Sequence, residues 1–157
     1  MARALFAVGG LLALLIAGLV LVAWLGRADE SLAVDNILSE QITKGVTTAD
    51  QQGSNLALAH VNQSPWDKVV VVAPRTPREE ISRRLGTDWK GDVGYDAGEL
   101  FIFLRDGEVD RFAHYLGKSR FEGLSQPFDE FTPQTAVFVV DDGVVQPRDH
   151  PHAGGGH

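Results

Sequence analysis

The sequence predicts an α+β fold: an N-terminal transmembrane helix followed by a small domain with a mainly antiparallel sheet, built from two hairpins plus one strand, and helices on one face. Three observations predict it. Ala4–Leu25 is an uninterrupted run of 22 uncharged, mostly apolar residues. Two Asp-Gly pairs, Asp106-Gly107 and Asp142-Gly143, each join two runs of strand length. Helical periodicity is confined to the residues before Trp66 and to one short stretch after Pro77. The chain has 157 residues, enough for one substantial core and too few for two large domains.

The apolar run comes first. As a helix it would be about 33 Å long, which matches the roughly 30 Å hydrocarbon core of a bilayer. Trp24 near its end suits the interface, and Arg3 and Arg27 bracket it. A cleaved secretory signal is the alternative. Such signals have an apolar core of about 7–15 residues, shorter than this run, and the nearest small-x-small site, Gly26-Arg27-Ala28, carries an arginine. The short tail ahead of the run and the long acidic part after it predict a single-pass protein of the cell membrane. Its N-terminus would be cytoplasmic and its C-terminal domain extracytoplasmic. Gly9, Ala13 and Ala17 recur every four residues and form a stripe through which a homodimer could pack in lipid.

The expected organisation is an anchor over 1–27, a helical lead-in over 28–64, an α+β domain over 65–147 and a disordered His/Gly tail over 148–157. In the lead-in, Val34, Leu38 and Ile42 repeat at helical spacing, with Ile37 and Val46 alongside. Thr47 and Asp50 predict the cap of a second helix carrying Leu56, Ala59 and Val61. Lys68–Ala73 is a β-branched run without alternation, which predicts a strand buried on both faces. Thr76-Pro77-Arg78-Glu79 predicts a helix start and Gly86 a stop, with Ile81 and Leu85 facing inward. Leu100–Arg105 and Glu108–Tyr115 form the first predicted hairpin. A two-residue turn sets Leu104 opposite Val109, Phe101 opposite Phe112 and Glu99 opposite His114. Thr135–Asp141 and Val144–Gln146 form the second, and Pro147 predicts that its last strand is an edge.

Composition excludes several functions. There is no cysteine, so disulfides, thiolate metal sites and a cysteine nucleophile are absent. A net charge of −7 repels phosphate backbones, so nucleic acid is not an expected partner. Gly117-Lys118-Ser119 is not a phosphate loop, because the loop needs a glycine where Phe112 stands. No Gly-x-Ser-x-Gly turn exists.

The remaining candidates are few. Arg75, Arg78, Arg83 and Arg84 cluster around the short helix. Arg83 and Arg84 complement the helix dipole and stand four residues after Glu79 and Glu80, so only Arg75 and Arg78 are left as anion-binding candidates. Glu99 and His114 would form an acid–base pair in an enzyme, or a surface ion pair otherwise. His150, His152 and His157 bring three imidazoles into the tail and could bind a transition metal. Phe101, Phe103 and Phe112 would share one face of the first hairpin and Leu100, Ile102 and Leu104 the other. One face must pack on the helices, and the second would then be an interaction surface.

The line from Trp66 to Gly86, with Trp66-Asp67-Lys68, four valines, Ala73-Pro74-Arg75-Thr76, Ile81 and Leu85-Gly86, resembles a motif of small uncharacterised bacterial envelope proteins, many of them lipoproteins. Arg75 stands where that pattern has an aromatic residue. The resemblance implies an envelope location and no enzymatic activity. The expectation is therefore a membrane-anchored, extracytoplasmic binding or interaction module without a cofactor. Its expected partners are the lipid bilayer through residues 4–25, another envelope protein, or a second copy of itself. A small hydrolase using Glu99 and His114, and metal binding by the tail, are the alternatives.

Overall fold

The computed structural model describes residues 32–92 and 98–148. The chain divides into two units, Met1–Ser31 and Leu32–His157, and the first lies outside the described residues. So do the apolar run at 4–25, its stripe of Gly9, Ala13 and Ala17, and the three histidines of the tail. Among the described residues, no helix is long and apolar enough to cross a membrane. The expected fold class is therefore corrected: the described chain is a small α+β domain with two antiparallel-rich sheets and no spanning helix.

The described elements, in chain order, are α1 (Asn36–Gln52), β1 (Asn55–Ala57), α2 (Leu58–Val61), β2 (Lys68–Val72), α3 (Arg78–Leu85), β3 (Leu100–Arg105), β4 (Glu108–His114), β5 (Arg120–Phe121), β6 (Phe128–Phe131), β7 (Val137–Asp141) and β8 (Val144–Pro147). They form two four-stranded sheets, β4-β3-β2-β6 and β1-β7-β8-β5. The first is antiparallel throughout, and in the second only β5 and β8 run parallel.

Residues β2 and β3 explain why one sheet was not enough. Val69, Val70, Val71 and Val72 are all buried, as are Leu100 to Leu104. Side chains alternate across a strand, so each strand is apolar on both faces and each face needs a cover. On one side Val69, Val71, Phe101 and Phe103 pack against Phe138, Val140 and Val145 of the second sheet and Leu38, Ile42 and Val46 of α1. Rings cross this core in edge-on contact, Phe101 to Phe121 to Phe138 to Phe131, with centroids 5.2–5.9 Å apart. On the other side Val70, Val72, Leu100 and Ile102 pack against Ile81 of α3 and Trp89, with Leu32 and Val34 alongside. Helices thus lie on both sides of the first sheet, not on one.

Local predictions are corrected in three places. The lead-in helix does not restart at Thr47. Asp35 caps α1 by accepting the Leu38 N–H at 2.9 Å, and the helix runs on until Gly53 ends it in the left-handed region at φ 58°. Thr47 lies inside it and bonds back to the Thr43 carbonyl. Leu56 then belongs to a strand. At α3, Thr76 bonds the Ala73 carbonyl instead of capping the helix, while Gly86 ends it at φ 70° as the sequence predicts. Pro147 does not mark an edge, because β5 pairs with the far side of β8 at Val144 and Val145.

The largest correction is the register of the first hairpin. Both Asp-Gly turns have positive φ at both residues (54° and 81°, 46° and 74°), the geometry of the tightest hairpin turn. Leu104 faces Val109, as that turn requires. Asp110 is then an extra residue, and Phe103 faces Arg111. This bulge shifts everything beyond it by one position. Phe112 now faces Ile102 and joins the core of Leu100 and Ile102, not that of Phe101 and Phe103.

Helix α1 closes the outer edge of β4. The Asp35 N–H donates to the Phe112 carbonyl at 2.9 Å, Ser39 Oγ accepts the His114 N–H at 3.0 Å, and Thr43 Oγ1 accepts the Leu116 N–H at 3.2 Å. These partners recur every four residues along one stripe of the helix. Ser39 is buried, so its removal leaves a strand N–H without an acceptor. Ser39→Ala is expected to lower the unfolding free energy by about 1–3 kcal/mol and Thr43→Ala, at an exposed site, by about 1 kcal/mol or less. Urea denaturation of the two variants beside the parent checks this order.

Candidate functional site

The titratable pair was the sharpest chemical expectation. The bulge separates it. The Tyr115 N–H donates to the Glu99 carbonyl at 2.9 Å, whereas His114 faces Leu100. Tyr115 belongs to the core between the sheets, while His114 rests edge-on against Phe112 in the opposite core, with ring centroids 6.0 Å apart. Glu99 and His114 therefore belong to opposite faces of the sheet. Burial pushes the Glu99 carboxyl up from its ordinary 4.5 to about 7, and its own backbone N–H only partly offsets this. Burial pushes His114 down, and the charge that opposes the shift is that of Asp92. Neither residue lines any of the three cavities described below.

The arginines are also accounted for. Arg78 Nη1 donates to the Trp89 carbonyl at 2.6 Å, which ties α3 to the loop after it. Arg84 reaches Glu130 on β6 at 3.0 Å, and Lys68 reaches the same carboxylate at 2.8 Å. These pairs hold α3 over the sheet. Arg75 is exposed, in the left-handed region at φ 63°. The structure thus gives Arg78 a structural partner and leaves Arg75 outside the three cavities described here. Phe101, Phe103 and Phe112 are completely buried, and Leu100, Ile102 and Leu104 are buried with them, so none of these six side chains forms an exposed interaction surface.

What the structure does assemble is a groove beside α1 with a volume of about 750 Å³. One wall is the polar stripe of the helix: Ile37, Gln41, Lys44, Thr48 and Gln52. These positions are three, four or seven apart and so share one face. The other wall comes from Ser54 and Asn55 and from His60 to Ser64. Gly45 sets the floor. A Cβ there would stand 2.8 Å from Leu56 Cδ1, so any larger residue would require the Leu56 side chain to shift. At one end Arg111 pairs with Asp110 at 2.9 Å and with Asp35 at 3.7 Å.

The groove's chemistry is that of amides and hydroxyls. Gln41, Gln52, Asn55, Asn62 and Gln63 each carry a donor and an acceptor. Asn62 is only 4% exposed. Its Oδ1 accepts the Ser64 N–H at 3.3 Å, and its Nδ2 has no acceptor among the described residues. Among the described residues no phenylalanine, tyrosine or tryptophan lines the groove. Two smaller cavities, about 270 Å³ beside Lys68 and Arg84 and about 390 Å³ beside Arg83 and Phe128, adjoin the α3 ion pairs. Among the described residues no group of three metal-ligating side chains comes together.

Sequence reasoning passed over this groove. Its signal was a helix face with few charges, followed by the amide- and hydroxyl-rich stretches Gln51–Asn55 and Asn62–Ser64. Comparison with models of known families, with curated proteins and with solved structures finds no match to this chain.

The raised pKa of Glu99 makes a test. The folded state holds its proton up to about pH 7 while the unfolded chain loses it near 4.5. Between those values the folded state binds more protons, so this group lowers stability as pH rises. His114 acts in the opposite sense below 6.5, so the comparison must isolate Glu99. Glu99→Gln is expected to gain stability over the parent between pH 4.5 and pH 7.5. Urea midpoints at the two pH values check it, and an unchanged difference would show that Glu99 titrates as an ordinary carboxyl.

Proposed function

We propose that this protein is a non-catalytic binding module whose ligand lies in the groove beside α1. The observation that carries the reading is the groove itself: about 750 Å³ beside the helix, with amide and hydroxyl side chains that can donate and accept set among the apolar Ile37, Leu38, Ala49 and Val61. The enzyme alternative loses its support, because Glu99 and His114 lie on opposite faces of the sheet and outside the groove. A location in the bacterial envelope is part of the proposal. Its support is the resemblance of residues 66–86 and the acidic composition that follows the apolar run. Fractionation of cells with external protease tests that part by itself: a domain degraded only after the cell is opened to the cytosol would remove the location and leave the groove.

The binding role is tested from an exposed helix position. Thr48→Trp puts an indole into the groove and touches no core residue. Heptapeptides selected from a random display library on the full-length protein are expected to bind Thr48→Trp at least tenfold more weakly, with its thermal midpoint unchanged. Selected peptides that bind both proteins alike would show that the groove is not the site.

A further inference from the structure

We infer that the groove takes an extended, acidic segment of a partner polypeptide, six or seven residues long. The inference rests on the binding role proposed above and adds the class of ligand. Length comes first. From Ile37 to Gln52 the helix rises about 22 Å at 1.5 Å per residue. An extended chain advances about 3.3 Å per residue, so six or seven residues span the groove.

The walls select among ligand classes. A peptide presents alternating N–H and C=O groups, and the side-chain amides and hydroxyls of the groove can match both. Asn62 is the one buried amide of the lining, and its Nδ2 has no acceptor among the described residues. Oligosaccharides and single-stranded nucleic acids bind largely by stacking on several aromatic rings, and His60 is the one ring that lines this groove among the described residues.

Charge selects among peptides. The protein carries −7 overall, yet Lys44 stands midway along the groove with no carboxylate partner among the described residues. His60 lines the opposite wall. Asp35 is the one carboxylate among the described residues that line the groove, and it lies at the far end beside Arg111. A segment with acidic residues at its middle meets a cation there, while a basic one does not. Ile37, 71% exposed, offers an apolar contact at the Arg111 end.

The test uses three end-blocked heptapeptides on the full-length protein: alternating Glu and Ser, Gln and Ser, and Lys and Ser. Fluorescence anisotropy is expected to show the acidic peptide binding at least tenfold tighter than the neutral one, with no detectable binding of the basic one. Lys44→Gln is expected to abolish that preference and Lys44→Glu to reverse it. Lengthening the acidic peptide beyond seven residues is expected to gain less than twofold. Equal binding of the acidic and neutral peptides would overturn the inference. So would an acidic preference that survives Lys44→Gln, or displacement of the acidic peptide by a neutral oligosaccharide at lower concentration. A neutral or basic peptide that Thr48→Trp blocks would overturn the acidic assignment alone and leave the binding role standing. Acidic peptides that Thr48→Trp does not block would overturn the binding role itself.

Discussion

Two adjacent strands that are apolar on both sides dictate this molecule. Val69–Val72 and Leu100–Leu104 leave no face of the first sheet that water can occupy. Burying a large aliphatic side chain is worth about 1.5–3 kcal/mol, so exposing Val70, Val72, Leu100 and Ile102 would cost about 6–12 kcal/mol. That is comparable with the whole stability of a small domain, about 5–15 kcal/mol. The layer of α3, Trp89 and the lead-in residues is therefore as necessary as the second sheet. The ties that hold it, Arg78 to the Trp89 carbonyl and Arg84 to Glu130, follow from that need.

A second constraint is the sheet edges. The first sheet ends at β4 and β6, and exposed strand edges invite pairing with other chains. Hydroxyls of α1 cover β4. At β6 the buried Asp129 carboxylate takes the N–H groups of Ser125 and Glu130. The helix thus carries three stripes. Leu38, Ile42 and Val46 go to the core, Asp35, Ser39 and Thr43 to the β4 edge, and Gln41, Lys44 and Thr48 to the groove. A helix can serve three neighbours because its side chains radiate at about 100° steps. The groove follows from the first two duties, since α1 is held against β4 on one side and approaches β1 through Gly45 on the other.

The groove and the Glu99 site differ in kind. Glu99 is a carboxyl made weakly acidic by desolvation, with its nearest candidate partner turned to the other face of the sheet. Acid–base catalysis by the pair would need both groups within reach of one bound substrate, which opposite faces of a sheet do not allow. The groove instead sets donors and acceptors side by side along α1.

Much of the local structure was legible in the residues. The valine run, the two Asp-Gly hairpins, the apolar spacing of Leu38, Ile42 and Val46 and the stop at Gly86 each have a local physical cause, so each could be read without a partner. Three features were not legible. The two-residue strand β5 and three-residue strand β1 hold too few residues to show a period. The bulge at Asp110 depends on which register lets Phe112 pack with Ile102 and Trp89, a choice made by the far core. The groove joins residues 37–52 to residues 54–64 and to Arg111, which no spacing in the sequence brings together. The sequence by itself determined where chains turn and which stretches must be buried, because those are properties of neighbouring residues. Only the tertiary structure decided how many sheets there are, which strands face which, and where a ligand could lie, because those depend on contacts between segments far apart in the chain.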